Sequence, residues 1–582
     1  MCGIYAILRQ STTRQQRPAH LQHAQLMSAW SKTVYRGPDR SCTEYIVGEP
    51  RSPNFIFFGF HRLCINGLNK KSDQPICVSY DNRKVALICN GEIYNTLALQ
   101  QQLCLTKDNY KSGSDCEVIA HLYLRYGLEH TLNLLDGVYS FALYDYSTCQ
   151  LHIARDFLGI RPLFVSTGNP DTPDTFDLAF ASEAKSLLNM QQVQQFPPGS
   201  WMSIHFTNKS ITRGQFLSHL RTLSPFVKKP VESKNNQLLR LRTLFHDAVR
   251  KRLVLTDRSV ACLLSGGLDS TLVTAVLLRE MRAIHGKDVS VNTYSIGMKG
   301  SVDLKFARQA AKYLGTRHTE ICLSEQEFLD AIPETIWHTE SFDTTTIRAS
   351  VGNLLISKYI RDHSEDTVIF VGDVADELFA SYRGFSHAPS PQELFKANRD
   401  MLFNIHYYDV LRSDRSISAA GLEARVPFGD LKFMEQVLAM DPSLKMFSPG
   451  KVLPPGENLD NGDKPVPVME KHILRKAFEG YLPHSLLYRR KEAFSDGVSP
   501  CDRGWFEIIR EHVDTIYSDK DLALARLTVR GGIPVPDKES LWYLDIYDQH
   551  FATIMPEPIP TYWRHPFCDA NADPSARLLG CY

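Results

Sequence analysis

The sequence predicts a layered α+β domain of antiparallel sheets with helices, followed by an α/β domain built on a parallel sheet. Three observations carry that expectation. Gly137–Asp145 and Gln150–Arg155 alternate apolar and polar side chains, as two paired strands on a core do. From Ser259 onward, apolar runs of strand length alternate with stripes at helical spacing, which calls for parallel strands joined by helical crossovers. Between the first such strand and the first such helix lies Leu263-Leu264-Ser265-Gly266-Gly267-Leu268-Asp269-Ser270, a glycine turn at the edge where α/β sheets bind ligands.

The elements follow in order. Ile4–Leu8 reads as a first strand, and helices are expected near Leu21–Lys32 and Cys116–Tyr126. Leu178–Ser182 is another strand, Phe196-Pro197-Pro198-Gly199 closes the layer, and Trp201–Phe206 is expected as its final strand. Polar Ser233–Asn236 reads as linker, and Leu238–Leu253 as the helix entering the second half. Ser259–Leu264, Val289–Ile296, His318–Leu323 and Thr367–Val371 are the expected parallel strands. The stripe Phe306, Ala307, Ala310, Ala311 and Leu314 is a helix stopped by Gly315, and Ser324 with Glu327 forms a capping box. Phe447–Pro467, rich in Pro, Gly and Asp, reads as an exposed loop.

Bulk properties narrow the function classes. The 582 residues provide for about two to four domains. Acidic and basic residues balance at 65 each, so neither nucleic acid nor a membrane surface is an expected partner. Thirteen scattered cysteines, none at C-x-x-C spacing, fit a reducing compartment better than a disulfide framework or zinc ribbon. No apolar run reaches the ~18 residues of a membrane span, and Met1-Cys2-Gly3 opens without a signal-peptide pattern. The expectation is a cytoplasmic protein.

The glycine turn has a chemical reading of its own. Two glycines let backbone amides close on a ligand, Ser265 and Ser270 flank them, and the following helix adds a partial positive charge, so the turn suits phosphate oxygens. Asp269 inside such a cradle repels a bare anion and implies a bridging Mg²⁺. An ordinary strand-to-helix turn is the plainer alternative. At the other end, trimming of Met1 would leave Cys2 with a thiol and a free α-amine, a nucleophile with its own base. A chance cysteine in a first strand is the plain reading there.

The turn resembles the S-G-G-x-D-S pyrophosphate loop (PP-loop) of enzymes that split ATP into AMP and pyrophosphate. Cys2-Gly3-Ile4, Arg36-Gly37-Pro38-Asp39, Arg62-Leu63-Cys64-Ile65, Asn90-Gly91-Glu92-Ile93-Tyr94-Asn95, Ser114-Asp115-Cys116-Glu117, Leu135-Asp136-Gly137 and Ala154-Arg155-Asp156 follow in the order of the N-terminal-nucleophile (class II) glutamine amidotransferases. With Asp343–Ser350, Gly421–Phe428, Met469–Arg475, Arg490–Gly497 and the tail Ala572–Arg577, the wider resemblance is to the glutamine-hydrolysing asparagine synthetases. It implies a glutaminase domain at 2–206, a linker at 207–236, an ATP-pyrophosphatase synthetase domain at 237–555 and a tail at 556–582.

The resemblance also implies roles. Cys2 attacks the glutamine amide; the Asn90 side chain and Gly91 N–H hold the oxyanion. Arg62 takes the glutamine carboxylate and Asp115 its ammonium, with Leu63, Cys64, Ile65, Asn66 and Glu92 lining the pocket. Ammonia passes internally to aspartate activated by ATP as β-aspartyl-AMP. Leu263, Ser265, Gly266, Gly267, Asp269, Ser270, Ile296, Val371 and Gly372 hold ATP, and Asp269 and Asp376 hold Mg²⁺. Arg348 and Lys491 stabilise the adenylate or pyrophosphate, while Arg425 and Arg475 are either anion contacts or structural ion pairs. A homodimer is implied as well.

Two departures stand out. Gly67 replaces an aspartate usual after the Arg-Leu-x-Ile run. Val371-Gly372-Asp373-Val374-Ala375-Asp376-Glu377 replaces a loop that reads S-G-E-G-S-D-E in the family, so Asp373 stands for a glutamate that acts in adenylate formation and ammonia attack. Two other readings therefore stay open: a relative with another carboxylate acceptor, and a catalytically impaired binding or regulatory homologue.

Overall fold

The computed structural model describes residues 1–11, 19–50, 52–168, 175–226, 233–447, 468–527, 533–552, 562–569, 573–575 and 577–578. The first half is a stack of helix, sheet, sheet and helix. Its strands are β1 (Gly3–Ser11), β2 (Arg40–Val47), β3 (Asn54–Arg62), β4 (Ile76–Tyr80), β5 (Arg83–Ile93), β6 (Gly137–Asp145), β7 (Gln150–Arg155), β8 (Phe164–Thr167), β9 (Thr175–Ala181), β10 (Gln194–Gln195), β11 (Ser200–His205) and β12 (Ile211–Gln215). They form two antiparallel sheets, ordered β10-β8-β9-β1-β3-β2 and β12-β11-β7-β6-β5-β4.

The period of two along each strand builds the layers. Ile4, Ala6 and Leu8 of β1 pack between the sheets against Ile88, Ala142 and Ile153. Tyr5 and Ile7 face the other way, toward Leu26 of helix Ala19–Ser31. On the far sheet, Val85, Leu87 and Cys89 face Val118 and Leu122 of helix Glu117–Tyr126. Each large apolar side chain buried in this way contributes roughly 1.5–3 kcal/mol.

The second half holds the expected parallel sheet, β13 (Ser259–Leu263), β14 (Asn292–Met298), β15 (Arg317–Leu323), β16 (Asp366–Phe370) and β17 (Glu423–Arg425). Its order is β15-β14-β13-β16-β17, every neighbouring pair parallel. After β13 the chain crosses to β14 on one side, while β16 pairs on the other, so the strand order switches direction between β13 and β16. The loops leaving the carboxyl ends of these two strands part there and open a crevice. They also touch: a Cβ on Gly372 would lie 2.9 Å from Asp269 Cβ and from Ser270 N.

Two expectations about the elements need correction. Trp201–Phe206 does not end its sheet, because β12 pairs beside β11. The stretch 207–236 is not a plain linker: it holds β12, helix Ser218–Thr222 and Ser233, whose hydroxyl caps helix Lys234–Val254. Polar Ile211-Thr-Arg-Gly-Gln215 lacks the apolar alternation that marks a strand, and sheet pairing alone makes it one. β17 is too short for any pattern. Residues 448–467 of the expected exposed loop lie outside the described residues.

Buried charges knit the halves together. Arg36 reaches Glu183 (2.7 Å) and Asp414 (2.8 Å), and Arg415 reaches Glu183 (3.0 Å) and Glu340 (3.0 Å), with all five side chains at most 2% exposed. Among the described residues, no helix is long and apolar enough to cross a membrane.

Candidate active site

Cys2 enters β1 beside the end of β5. Its backbone N–H donates to Asn90 Oδ1 (3.0 Å), Arg36 Nε donates to its carbonyl (3.0 Å), and its thiol lies 3.7 Å from the Leu63 carbonyl. Asn90 Nδ2 is buried without a hydrogen-bond partner among the described residues. A donor left open in this way costs about 1–3 kcal/mol, which an oxyanion forming there would recover. Next to it, Gly91 is part of β5, and a Cβ would meet Val138 O at 2.3 Å. Burial pushes the Cys2 thiol up to about 11. Met1 precedes it, buried, with its ammonium 3.8 Å from Glu423.

Around Cys2 the charges are unevenly satisfied. Asp115 accepts from Ile93 N (2.5 Å) and Asn66 Nδ2 (3.3 Å); the same Asn66 amide donates to Glu92 (2.7 Å). Burial raises Asp115 to about 6. Burial and the charge of Asp115 hold Glu92 well above the usual carboxylate range, although Arg425 lies 3.2 Å away. Two carboxylates short of positive charge form a corner that suits an ammonium. Arg62, the expected cation for the opposite end, donates to Asp73 Oδ1 at 2.8 Å.

The second site is the crevice at the switch point. Lys471 Nζ bridges Asp269 Oδ2 (2.6 Å) and Asp376 Oδ1 (2.6 Å), while Lys491 Nζ donates to Asp376 Oδ2 (2.6 Å). Burial pushes Asp376 up, but the two ammoniums outweigh it and hold the carboxyl far below its ordinary range. Burial likewise pulls Lys491 down, and Asp376 and Asp269 more than reverse it. Behind this clamp, Arg412 donates to Asp373 (2.9 Å) and Asp409 (3.2 Å), and the Tyr382 hydroxyl lies within hydrogen-bond reach of both Glu377 (2.5 Å) and Asp409 (2.7 Å). Burial and the neighbouring Asp409 hold Glu377 well above the carboxylate range. Val374 lies at φ 77°, a left-handed conformation that is strained for a β-branched residue, and it stands where the family's loop carries glycine.

Comparisons with known proteins now bear on this pairing of sites. Residues 1–239 match the family model of the glutamine amidotransferase domain, and residues 240–402 and 389–552 match that of asparagine synthase. The chain is 36% identical over 605 residues to an asparagine synthetase [glutamine-hydrolyzing] of Cricetulus griseus, across 100% of this chain and 99% of that protein. Proteins of the same name from Homo sapiens (35% over 608 residues) and Gallus gallus (36% over 608) match with the same coverage. The chain belongs to the glutamine-hydrolysing asparagine synthetase family.

For a member of the asparagine synthetase family, most expected ATP contacts fall together. Leu263, Ser265, Gly267, Asp269, Ser270, Ile296, Val371 and Gly372 line the crevice, with Asp373, Asp376 and Lys491. Gly266 does not line it. At φ 72° its missing Cβ makes room for the Phe306–Ala307 backbone, 2.3–2.4 Å from where that atom would sit.

Arg348 does not line the crevice either. On helix Thr344–His363 the crevice face carries Thr345, Ala349, Asn353 and Ile356, and Arg348 points away from it. There it forks onto Glu539 (2.8 and 2.6 Å) and Asp573 (2.8 and 3.0 Å). Arg425 and Arg475 both form ion pairs: Arg425 pairs Glu92 and Glu423, and Arg475, which also lines the crevice, pairs Glu470 and donates to the carbonyls of Leu487 and Arg489. Cys64 and Ile65 have backbone groups engaged by Asp39, Arg258 and Asp257.

Lys471, Arg412, Asp409, Glu377 and Tyr382 were not anticipated. Lys471 and Glu377 carried a signal, their places in the Met469–Arg475 and Val371–Glu377 stretches. For Mg²⁺, Asp269 Oδ1 supplies a fit, being buried, at the crevice and without a partner among the described residues. Both Asp376 oxygens hold lysines. Among the described residues no three His, Cys, Asp or Glu side chains gather as a metal site, so most ligands of such an ion would be phosphate or water oxygens.

Proposed function

We propose that this protein makes asparagine from aspartate, ATP and glutamine, releasing glutamate, AMP and pyrophosphate. The observation that carries this reading is the Lys471–Asp376–Lys491 clamp beside the Ser265–Ser270 turn, two ammoniums converging where a leaving pyrophosphate needs cations.

In the glutaminase half, removal of Met1 frees the Cys2 amine to take the thiol proton. The sulfur then attacks the glutamine amide, the open Asn90 amide and Gly91 N–H hold the oxyanion, and ammonia departs with the returned proton. Water releases glutamate from the thioester. Asp115 holds the substrate ammonium and Arg62 its carboxylate.

In the crevice the aspartate β-carboxylate bonds to the α-phosphorus of ATP as the bond to pyrophosphate breaks, and Lys471 and Lys491 stabilise the charge shed. Asp373 takes a proton from ammonia as it bonds to the acyl carbon and AMP leaves. Asp269 would hold Mg²⁺, which when bound would supply charge neutralisation at the phosphates. We extend the proposal to the division into a glutaminase domain and a synthetase domain and to a homodimer, both carried by the family resemblance, and to a cytoplasmic location, which the scattered cysteines support.

The test is pyrophosphate and asparagine formation by the purified chain with aspartate, MgATP and glutamine, against omission of aspartate. Release that depends on aspartate and matches asparagine mole for mole supports the reading. Release indifferent to aspartate, or supported by another carboxylate instead, removes it.

A further inference from the structure

Arg62 closes β3 with every Nη hydrogen engaged. Nη1 donates to Asn69 O (3.0 Å) and Asp73 Oδ1 (2.8 Å); Nη2 donates to Asn66 O (3.1 Å) and Gly67 O (2.6 Å). The Arg62 side chain is only 5% exposed, so Asp73, rather than water, neutralises it. The other oxygen of Asp73 faces a second cation, Arg40 Nη1, at 3.1 Å, and this outer pair is part-exposed at 29% and 23%.

A glutamine α-carboxylate reaching Arg62 thus finds a carboxylate already in place. Two carboxylates on one fork repel, and the one Nη1 hydrogen that Asp73 takes cannot serve both while three loop carbonyls hold the other three Nη hydrogens. Asp73 alone among these acceptors has another cation to move to.

We propose that Asp73 is a positioning residue that occupies Arg62 in the unliganded pocket and sets glutamine affinity by exchange of partners. The incoming α-carboxylate takes the Nη1 hydrogen of Arg62, and Asp73 passes wholly to Arg40. The proposal rests on the reading of Arg62 as the carboxylate anchor. It makes the pocket demand a charged α-carboxylate, since a neutral α-amide has no charge with which to displace Asp73.

The experiment measures ammonia release from glutamine by the full chain, with ammonia-driven asparagine synthesis as the check on folding. Asp73→Asn keeps the shape and removes the charge. The expected result is a KM for glutamine lowered about fivefold, the size of a part-exposed ion pair, with kcat within twofold. Glutamate, which carries the same α-carboxylate, should inhibit more tightly by the same factor, while L-glutamine α-amide should show no gain. Arg40→Gln should raise KM in the native background and leave it unmoved in the Asp73→Asn background, because Arg40 acts only through Asp73.

An unchanged or higher KM in Asp73→Asn, while Arg62→Gln raises KM sharply, overturns the role of Asp73 and leaves the anchor reading standing. An Arg62→Gln enzyme with native KM overturns the anchor reading and this proposal with it.

Discussion

Replacing Asp376 with asparagine tests the clamp at its centre. The carboxylate accepts from Lys471 and Lys491 at 2.6 Å each and from the Ser381 hydroxyl, and it is 16% exposed. Asparagine keeps the volume but offers one acceptor, and its amide hydrogens then face an ammonium. Lys471 retains Asp269, whereas Lys491 loses the carboxylate that lies 2.6 Å away. Removing one member of a buried pair costs about 3–5 kcal/mol. At about 2 cal/mol/K of unfolding entropy per residue, a half of about 300 residues shifts in Tm by about 1.5 °C for each kcal/mol, so Tm should fall by roughly 5–8 °C. Ammonia-driven pyrophosphate release should fall about 10²–10³-fold, as when one preorganised charge-stabilising group is lost. Thermal unfolding and a coupled pyrophosphate assay read both, with glutamine hydrolysis as the internal control. A variant within 2 °C of the native Tm that turns over ATP within threefold of the native rate refutes the reasoning.

Further expectations follow from the same geometry. Cys2→Ala should lose glutamine-driven synthesis and keep ammonia-driven synthesis, checked by comparing asparagine yield from the two donors. Asp373→Glu should keep or raise adenylate formation, measured by aspartate-dependent ATP–pyrophosphate exchange; a loss of tenfold or more would show that the loop is fitted to the shorter side chain and its Arg412 contact. Burial raises Asp115 to about 6, and its charged form is the one that binds an ammonium. The kcat/KM for glutamine should therefore fall as pH drops through about 6, and Asp115→Asn should abolish that limb along with most of the activity.

The sequence carried the layers well, because half-buried strands such as β6 and β7 show their alternation and a glycine turn between strand and helix marks a sheet edge. Contributions made by partners distant in the chain were not legible. β12 and β17 are strands because a neighbour pairs with them, not because of their own pattern. Arg348 was placed at the nucleotide on motif alone, and its helical phase relative to Thr345 and Ala349 turns it toward Glu539 and Asp573. Lys471 is 202 and 95 residues from the two aspartates it bridges, a distance that no local pattern spans. Glu377, Asp409 and Tyr382 meet only because the loop after β16 folds onto helix Asp409–Ser418.

The central claim is that nitrogen freed at Cys2 is captured at the switch-point crevice within one molecule. Synthesis from glutamine labelled with ¹⁵N in the amide, run with a large excess of unlabelled ammonium at a pH where external ammonia is a poor donor, tests it directly. The account predicts asparagine that carries the label almost entirely, with glutamate formed in step. Asparagine labelled only in proportion to the mixed ammonia pool would contradict it.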